Sequence, residues 1–132
     1  ETDSLTVVVD GTPPALPTNL VSTSHTVNVW SNDNTVDFTW TASTDNVSGV
    51  DGYGEAYGSV QPVFVSNAKD MEQVTSFTRT MPDGTWYWAL RPVDNSGNWQ
   101  TTNREVGPYR IDTVAPTQPG VISSATHPVN LQ

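Results

Sequence analysis

The sequence contains no cysteine, which excludes disulfide bonds, a catalytic thiol and zinc sites built on cysteine. Basic residues are also scarce, with five lysines and arginines against fourteen aspartates and glutamates and a formal net charge of −9. Because nucleic-acid binding needs clustered positive charge and these five residues are scattered, we expect no nucleic-acid partner. No apolar run reaches the roughly 18 residues of a membrane-spanning helix, so we expect no membrane insertion.

The sequence does have a repeat with a period of 102 residues. Val9-Asp10 recurs as Ile111-Asp112 (111 − 9 = 102), and Val27-Asn28 recurs as Val129-Asn130. Pro14, Pro17, Ser22 and His25 recur at the same offset as Pro116, Pro119, Ser124 and His127. A fixed period is typical of tandem arrays. The repeat predicts that residues 1–10 end a preceding repeat, residues 11–112 form a complete module, and residues 113–132 are a linker and the first segment of the next repeat.

Alternating apolar and polar residues predict β-strands throughout the module. Val36, Phe38 and Trp40, for example, fall on every second position and therefore share one face. No segment has the periodicity and capping residues of a helix. The predicted strands are residues 18–22, 36–42, 53–57, 61–65, 74–81, 86–90 and 109–111. Seven short strands favour an antiparallel seven-stranded β-sandwich. Its predicted core contains Phe38, Trp40, Trp86, Trp88, Leu90 and Ile111.

Several motifs resemble the fibronectin type III-like modules that are repeated in bacterial exported proteins. They are residues 14–20, Trp40, Gly52-Tyr53, residues 81–86 (MPDGTW), residues 93–98 (VDNSGN) and residues 107–112 (GPYRID). The resemblance covers the whole module. It implies an immunoglobulin-like sandwich with strands A, B and E in one sheet and strands C, C′, F and G in the other. It also implies modules joined end to end, in a protein located outside the cell or at its surface.

Two positions depart from this family pattern. Trp86 stands where such modules usually carry a tyrosine whose hydroxyl bonds to nearby backbone, so that bond is made differently or lost. Glu55 lies in the middle of a predicted strand where an apolar residue is expected. Because a buried unpaired carboxylate is costly, either Glu55 has a partner or the strand bulges around Gly52, Gly54 and Gly58. The rarity of buried acids favours the bulge.

The sequence offers no constellation of residues for catalysis, so we expect no enzymatic activity. His25 and His127 stand at the same place in successive repeats, and neither accompanies a recognisable nucleophile. Paired carboxylates for glycoside hydrolysis would need a cleft, which a compact sandwich of this length rarely provides.

Acidic side chains are predicted to gather at one end of the sandwich. In this topology the segment entering strand A, the B–C loop and the F–G loop share that end. The candidate metal ligands are Asp10, Asp45, Asp51 and Asp94, with Asn46, Asn95 and Asn98 beside them. Calcium binds oxygen ligands of this kind, so one interpretation is a calcium site at the junction between repeats. The alternative is that each residue caps its own turn, because no Asp-x-Asp-x-Asp loop is present.

Tyr87 and Trp99 are the candidate ligand-binding residues. Alternation places most of the tryptophans inside and leaves these two free to stack on a sugar ring or to contact a surface protein. The alternative for Trp99 is that it covers the adjacent asparagine-rich loop, because tryptophan is usually buried.

Proline-rich joints connect the repeats at residues 12–17 and 114–119. Proline fixes φ and restricts the residue before it, so these joints are predicted to be short, stiff spacers. These features together predict a non-enzymatic repeat of a large extracellular or cell-surface bacterial protein. It would form a semi-rigid stalk, with neighbouring repeats as its partners. The alternatives are an adhesive or carbohydrate-binding module and an accessory module of a secreted enzyme.

Overall fold

The computed structural model describes residues 4–127, whose strands form two β-sheets. The strands are β1 (Thr18–Ser22), β2 (Trp30–Ser31), β3 (Thr35–Thr41), β4 (Val50–Gly58), β5 (Ser76–Thr80), β6 (Gly84–Asp94) and β7 (Arg104–Ile111). One sheet has the order β1-β3-β5 and the other the order β2-β7-β6-β4. Residues 4–127 contain no helix, and so none that is long and apolar enough to span a membrane. The predicted all-β class is confirmed, and the two sheets are consistent with a β-sandwich.

Strands within each sheet are antiparallel except at one edge. β3 pairs with β1 and β5, and β6 pairs with β4 and β7, all in antiparallel orientation. The short strand β2 pairs in parallel with β7, where Trp30 lies opposite Arg110 and Ser31 lies opposite Ile111. Sequence patterning does not predict β2, because a strand of two residues shows no alternation.

An aromatic core joins the two sheets. Val36, Phe38 and Trp40 of β3 are all buried, as their alternation predicts. The ring of Phe38 stacks on Trp88 of β6 with centroids 4.1 Å apart, and Trp40 meets the ring of Tyr53 of β4 edge-on at 5.6 Å. Each aromatic side chain removes about 150–250 Å² from water, so this cluster is a main source of hydrophobic stabilisation.

Trp86 is the one predicted core residue that is not fully buried. It is half-buried at the end of the core, where its ring meets Tyr57 edge-on at 5.2 Å. Its Nε1 donates a hydrogen bond to the Pro82 carbonyl oxygen at 2.7 Å. The indole N–H therefore bonds to backbone in the preceding turn, at the position where the sequence predicted an altered bond.

Glu55 has a partner, which was one of the two alternatives from the sequence. The preferred alternative, a bulge that accounts for an acidic residue at this position, is wrong. The register shift of β4 lies between Val50 and Gly52, and Glu55 itself pairs regularly with β6. The Glu55 side chain is 7% exposed and its Oε1 accepts a hydrogen bond from Nη1 of Arg79 at 2.9 Å. Its Oε2 accepts a hydrogen bond from Nε1 of Trp88 at 2.6 Å. A buried carboxylate is tolerated here because it is both paired and hydrogen-bonded.

The strand predicted at residues 61–65 is absent. These residues are bonded to side chains instead of a neighbouring strand: the Val63 N–H donates to Oε1 of Glu105 at 2.8 Å, and Nη1 of Arg91 donates to the Val65 carbonyl at 2.7 Å. Side-chain partners therefore satisfy the backbone groups that a β-ladder would otherwise use. No strand stands between β4 and β5 in the described part of the chain.

Replacing Glu55 tests whether the buried pair stabilises the fold. Glu55→Ala leaves Nε1 of Trp88 without an acceptor, while Arg79, whose side chain is 36% exposed, can turn to water. We expect the free energy of unfolding in urea to fall by about 2–3 kcal/mol. Glu55→Gln keeps an acceptor for the indole and should lose less. Glu72→Ala, at a side chain that is 74% exposed, is the control, and equal losses in both alanine variants would contradict the stabilising role.

Candidate functional site

One end of the molecule, here called the entry pole, is formed by three chain segments. They are the incoming segment 10–17, the loop 42–49 between β3 and β4, and the loop 95–103 between β6 and β7. Asn95 links the two loops, because its Nδ2 donates to the Ser48 carbonyl at 2.9 Å and its N–H donates to the Gly49 carbonyl at 2.9 Å. The segments that the sequence predicted to share one end therefore meet in the structure.

Three of the four predicted metal ligands lie together at the entry pole. Asp10, Asp45 and Asp94 each place a carboxylate oxygen within 4.8 Å of the others. Asp94 is 1% exposed, and the other two are half-buried. Asp51 does not join them, because its Oδ1 lies 2.9 Å from Nζ of Lys69 in a separate ion pair. The geometry thus brings together three carboxylates and leaves the fourth paired elsewhere.

Donors from the surrounding turns bond to these carboxylates. Oδ2 of Asp45 accepts from the successive N–H groups of residues 47–49, at distances of 2.8 to 3.2 Å. Oδ1 of Asp94 accepts from the N–H groups of Ser96 and Asn98 at 2.8 and 2.9 Å. This is the turn-capping role that was the alternative to calcium. Calcium binding at the entry pole stays a prediction.

Asp10 fastens the incoming segment to the loop 42–49. Its Oδ2 accepts from the hydroxyl and the N–H of Ser48 at 2.6 and 3.1 Å, and its Oδ1 accepts from the Thr12 N–H at 3.0 Å. The Asp10 carbonyl also accepts from Nδ2 of Asn98 at 2.9 Å. The Ser48 hydroxyl bond, followed by the Thr12 N–H bond, lowers the pKa of Asp10 from 3.8 to about 2. Asp10 is therefore ionised at neutral pH.

The incoming segment is held at three further points beyond Asp10. Hydrogen bonds run from Nε2 of Gln100 to the Pro14 carbonyl (2.8 Å), from the Ala15 N–H to the Thr44 carbonyl (2.9 Å) and from Nε of Arg104 to the Pro17 carbonyl (3.0 Å). Pro14 and Pro17 are also among the fully buried side chains. The proline-rich joint is therefore packed and bonded as part of the module.

The outgoing segment is held at the opposite end, here called the exit pole. The Asp112 N–H donates to the Ser31 carbonyl at 2.9 Å. Oδ1 of Asp83 accepts from the N–H and the hydroxyl of Thr113 at 3.0 and 2.8 Å. The exit pole lies at the start of β6 and the entry pole at its end, because β6 begins beside Asp83 and ends at Asp94. At about 3.3 Å per residue, that strand separates the two poles by about 35 Å.

Both predicted ligand-binding aromatics are half-buried on the outer face of the four-stranded sheet. Tyr87 packs against a small cluster that includes Val63 and Val65. Trp99 forms a backbone bridge to β6, and the guanidinium of Arg91 lies 5.3 Å from the centre of its ring. Part of each side chain is thus already used within the module. Contact of Tyr87 and Trp99 with a ligand stays a prediction.

Phe64 is an exposed aromatic that the sequence reasoning missed. It is 83% exposed between the buried residues Val63 and Val65. It lies beside a depression of about 410 Å³ that is also lined by Arg91 and Glu105. Because its neighbours Val63 and Val65 are buried, the side chain of Phe64 extends from the opposite side of the segment into solvent. The sequence gives no signal for this, since all three residues are apolar.

No protein-family model matches this chain, and no curated protein gives a significant match.

The bonds of Asp10 predict a pH-dependent contribution to stability. Its pKa is about 2 in the folded protein against an ordinary 3.8, so the ionised group stabilises the fold above about pH 4. That contribution is lost as the pH falls from about 4 to about 2. We expect Asp10→Asn to lower the urea midpoint at neutral pH, and we expect the difference from the unaltered chain to vanish near pH 2. In a protein that carries Ser48→Ala, Asp10→Asn should lower the urea midpoint by less. An effect of Asp10→Asn on the midpoint that does not change with pH would contradict this account.

The calcium interpretation is tested by thermal unfolding with calcium and with a chelator. About 10 mM calcium at a site with a dissociation constant of about 1 mM stabilises the folded state by about 1.4 kcal/mol, which raises Tm by several degrees. Asp10→Asn should abolish the rise. Asp51→Asn, outside the group of three, is the matched control and should preserve it. An unchanged Tm for the unaltered chain would exclude the site.

Proposed function

We propose that this chain carries one module of a tandem array of fibronectin type III-like domains, and that the array is an extracellular, semi-rigid spacer without enzymatic activity. The strand order supports the family assignment. In the proposed assignment β1, β3 and β5 correspond to strands A, B and E, and β4, β6 and β7 correspond to C, F and G; the sheet orders β1-β3-β5 and β7-β6-β4 support this. β2 adds a short parallel edge beside β7, and no strand in residues 4–127 takes the place of C′.

Exposure of apolar residues in the flanking segments supports the tandem arrangement. Val9 is 81% exposed, whereas its equivalent Ile111 inside the module is 0% exposed. Ile122 is 84% exposed, whereas its equivalent Leu20 is 8% exposed. In each pair, the residue inside the complete module is buried and its equivalent in the flank has no core to enter. The flanking residues thus have the character of core positions of neighbouring modules.

A repeated local turn also supports the array. The N–H of His127 donates to Oγ of Ser124 at 2.8 Å, just as the N–H of His25 donates to Oγ of Ser22 at 3.0 Å. The Nδ1 atom of each histidine lies within hydrogen-bond distance of the preceding hydroxyl, at 2.9 and 2.8 Å. The further repeated pair Val129-Asn130 lies outside the described residues. Both histidines are thus used within a turn, which favours a structural role for them.

The observation that carries the spacer proposal is how little of each joint is free to bend. The exit pole holds residues 112 and 113. The entry pole holds residues 10, 14, 15 and 17, which correspond one repeat later to residues 112, 116, 117 and 119. The two sets share residue 112, so no unheld residue separates the exit pole of one module from the entry pole of the next. Such a joint passes the orientation of one module to the next, so successive modules form a rod.

An adhesive or carbohydrate-binding module is the alternative function, and the exposed ring of Phe64 supports it. Aromatic rings that are open to solvent are suited to stacking on sugars. The depression beside the ring extends to residues 101–103 of the loop 95–103, so a ligand bound there would also contact that loop. An accessory module of a secreted enzyme is compatible with a spacer, since a spacer can separate enzyme domains.

A two-module protein tests the spacer proposal. Residues 1–113 are followed directly by residues 12–132, so that Asp112 and Thr113 keep their bonds to the exit pole and Asp112 stands two residues before Thr12, as Asp10 does in the single chain. Because the joint is held from both sides, we expect small-angle X-ray scattering to give a maximum dimension larger than that of the single chain by about 35 Å, the length of one module along β6.

The matched control inserts a flexible glycine and serine segment between Ile111 and Asp112, which separates the exit pole of the first module from the residue that the entry pole of the second module holds. This variant should give a broad distribution of distances, with both modules folded by circular dichroism. A two-module protein that is as flexible as the control would contradict the spacer proposal.

A further inference from the structure

We propose that Asp112 is a clasp shared by two successive modules. The exit pole of its own module holds its backbone, and the entry pole of the next module binds its carboxylate and carbonyl groups. The partner is therefore a second module of this type, with a serine at the position of Ser48 and an asparagine at the position of Asn98. This inference rests on the proposed spacer function and identifies the contact that sets the orientation between modules.

The entry pole already holds an aspartate that comes from outside the module. Asp10 belongs to the preceding repeat, yet its carboxylate bonds to Ser48 of this module through the hydroxyl at 2.6 Å and the N–H at 3.1 Å. Its carbonyl receives Nδ2 of Asn98 at 2.9 Å. The site thus recognises both the side chain and the backbone of one aspartate. That aspartate is the equivalent of Asp112 one repeat earlier.

Asp112 has the same local geometry as Asp10 and one open oxygen. Its Oδ1 accepts the Val114 N–H at 3.1 Å, as Oδ1 of Asp10 accepts the Thr12 N–H at 3.0 Å. Its Oδ2 makes no hydrogen bond within residues 4–127, and the residue is exposed whereas Asp10 is half-buried. The turn therefore fixes the carboxylate before a partner arrives, which lowers the cost of binding.

Aspartate is suited to this position because two functions must be met at once. One oxygen caps the turn two residues later, and the other must accept from a hydroxyl and an N–H of the next module. Asparagine can still cap the turn, but its NH₂ group cannot accept a hydrogen bond. Asp112→Asn therefore keeps the bond to the N–H two residues later and removes the carboxylate part of the clasp, so it separates the two roles.

A double-mutant cycle in the two-module protein tests the clasp. The substitutions are Asp112→Asn and Ser48→Ala in the second module. The second module alone is isotope-labelled, so that NMR follows its unfolding in urea. All measurements are made with a chelator, which removes any contribution from a bound cation. We expect each single variant to raise the unfolding equilibrium constant by about tenfold. If the two residues are bonded to each other, the unfolding equilibrium constant of the double variant should also be about tenfold higher than that of the unaltered protein. If their effects are independent, the two increases multiply to about a hundredfold.

Asp112→Asn in the single chain is the control, and it should leave the unfolding of residues 11–111 unchanged, because no second module is there to bind it. Multiplying effects in the cycle would overturn the clasp. The outcome is separate from that of the scattering experiment: a stiff rod with independent effects contradicts the clasp alone, and a flexible pair with coupled effects contradicts the spacer alone.

Discussion

The packing of Trp88 between the two sheets determines which hydrogen-bond and charge partners the neighbouring strands must supply. Its ring stacks on Phe38 at 4.1 Å and on Phe77 at 6.0 Å, which brings β6 against β3 and β5. A buried indole N–H without an acceptor is costly, and Glu55 of β4 supplies an acceptor to Trp88. The buried carboxylate in turn needs a positive partner, and Arg79 reaches it from β5 in the other sheet. One aromatic contact thus leads to an ion pair that links the two layers.

The same chain of contacts explains which parts of the fold could be predicted from the sequence. The residues of β3 alternate because one side of that strand covers the core, and this signal lies entirely within the strand. Glu55 was misjudged because its partners Arg79 and Trp88 are 24 and 33 residues away along the chain. Val63, in the strand that is absent, bonds to Glu105 at a separation of 42 residues. Local patterning carries no information about partners this distant.

The sequence predicts the part of the candidate site that depends on the order of the strands. It does not predict the part that depends on which side chains pair with each other. Asp10, Asp45 and Asp94 were expected together because three segments meet at one end of a sandwich, and they do meet there. Asp51 was expected with them, but Lys69, from the segment between β4 and β5, pairs with it instead. Phe64 lies in that same segment between β4 and β5. The alternation pattern wrongly predicted a strand at residues 61–65 there, so it could not predict that Phe64 is exposed.

Order in the segment 10–17 requires both proline and hydrogen bonding. Fixing the backbone of one residue costs about 1–2 kcal/mol, and one hydrogen bond contributes about 1 kcal/mol, so bonds alone barely offset the ordering of a joint. The prolines of residues 12–17 lower that cost because their φ angles are set before the segment docks. Burial of Pro14 and Pro17 then adds apolar contact. Proline and hydrogen bonding therefore act together to order this segment against the loops of the entry pole.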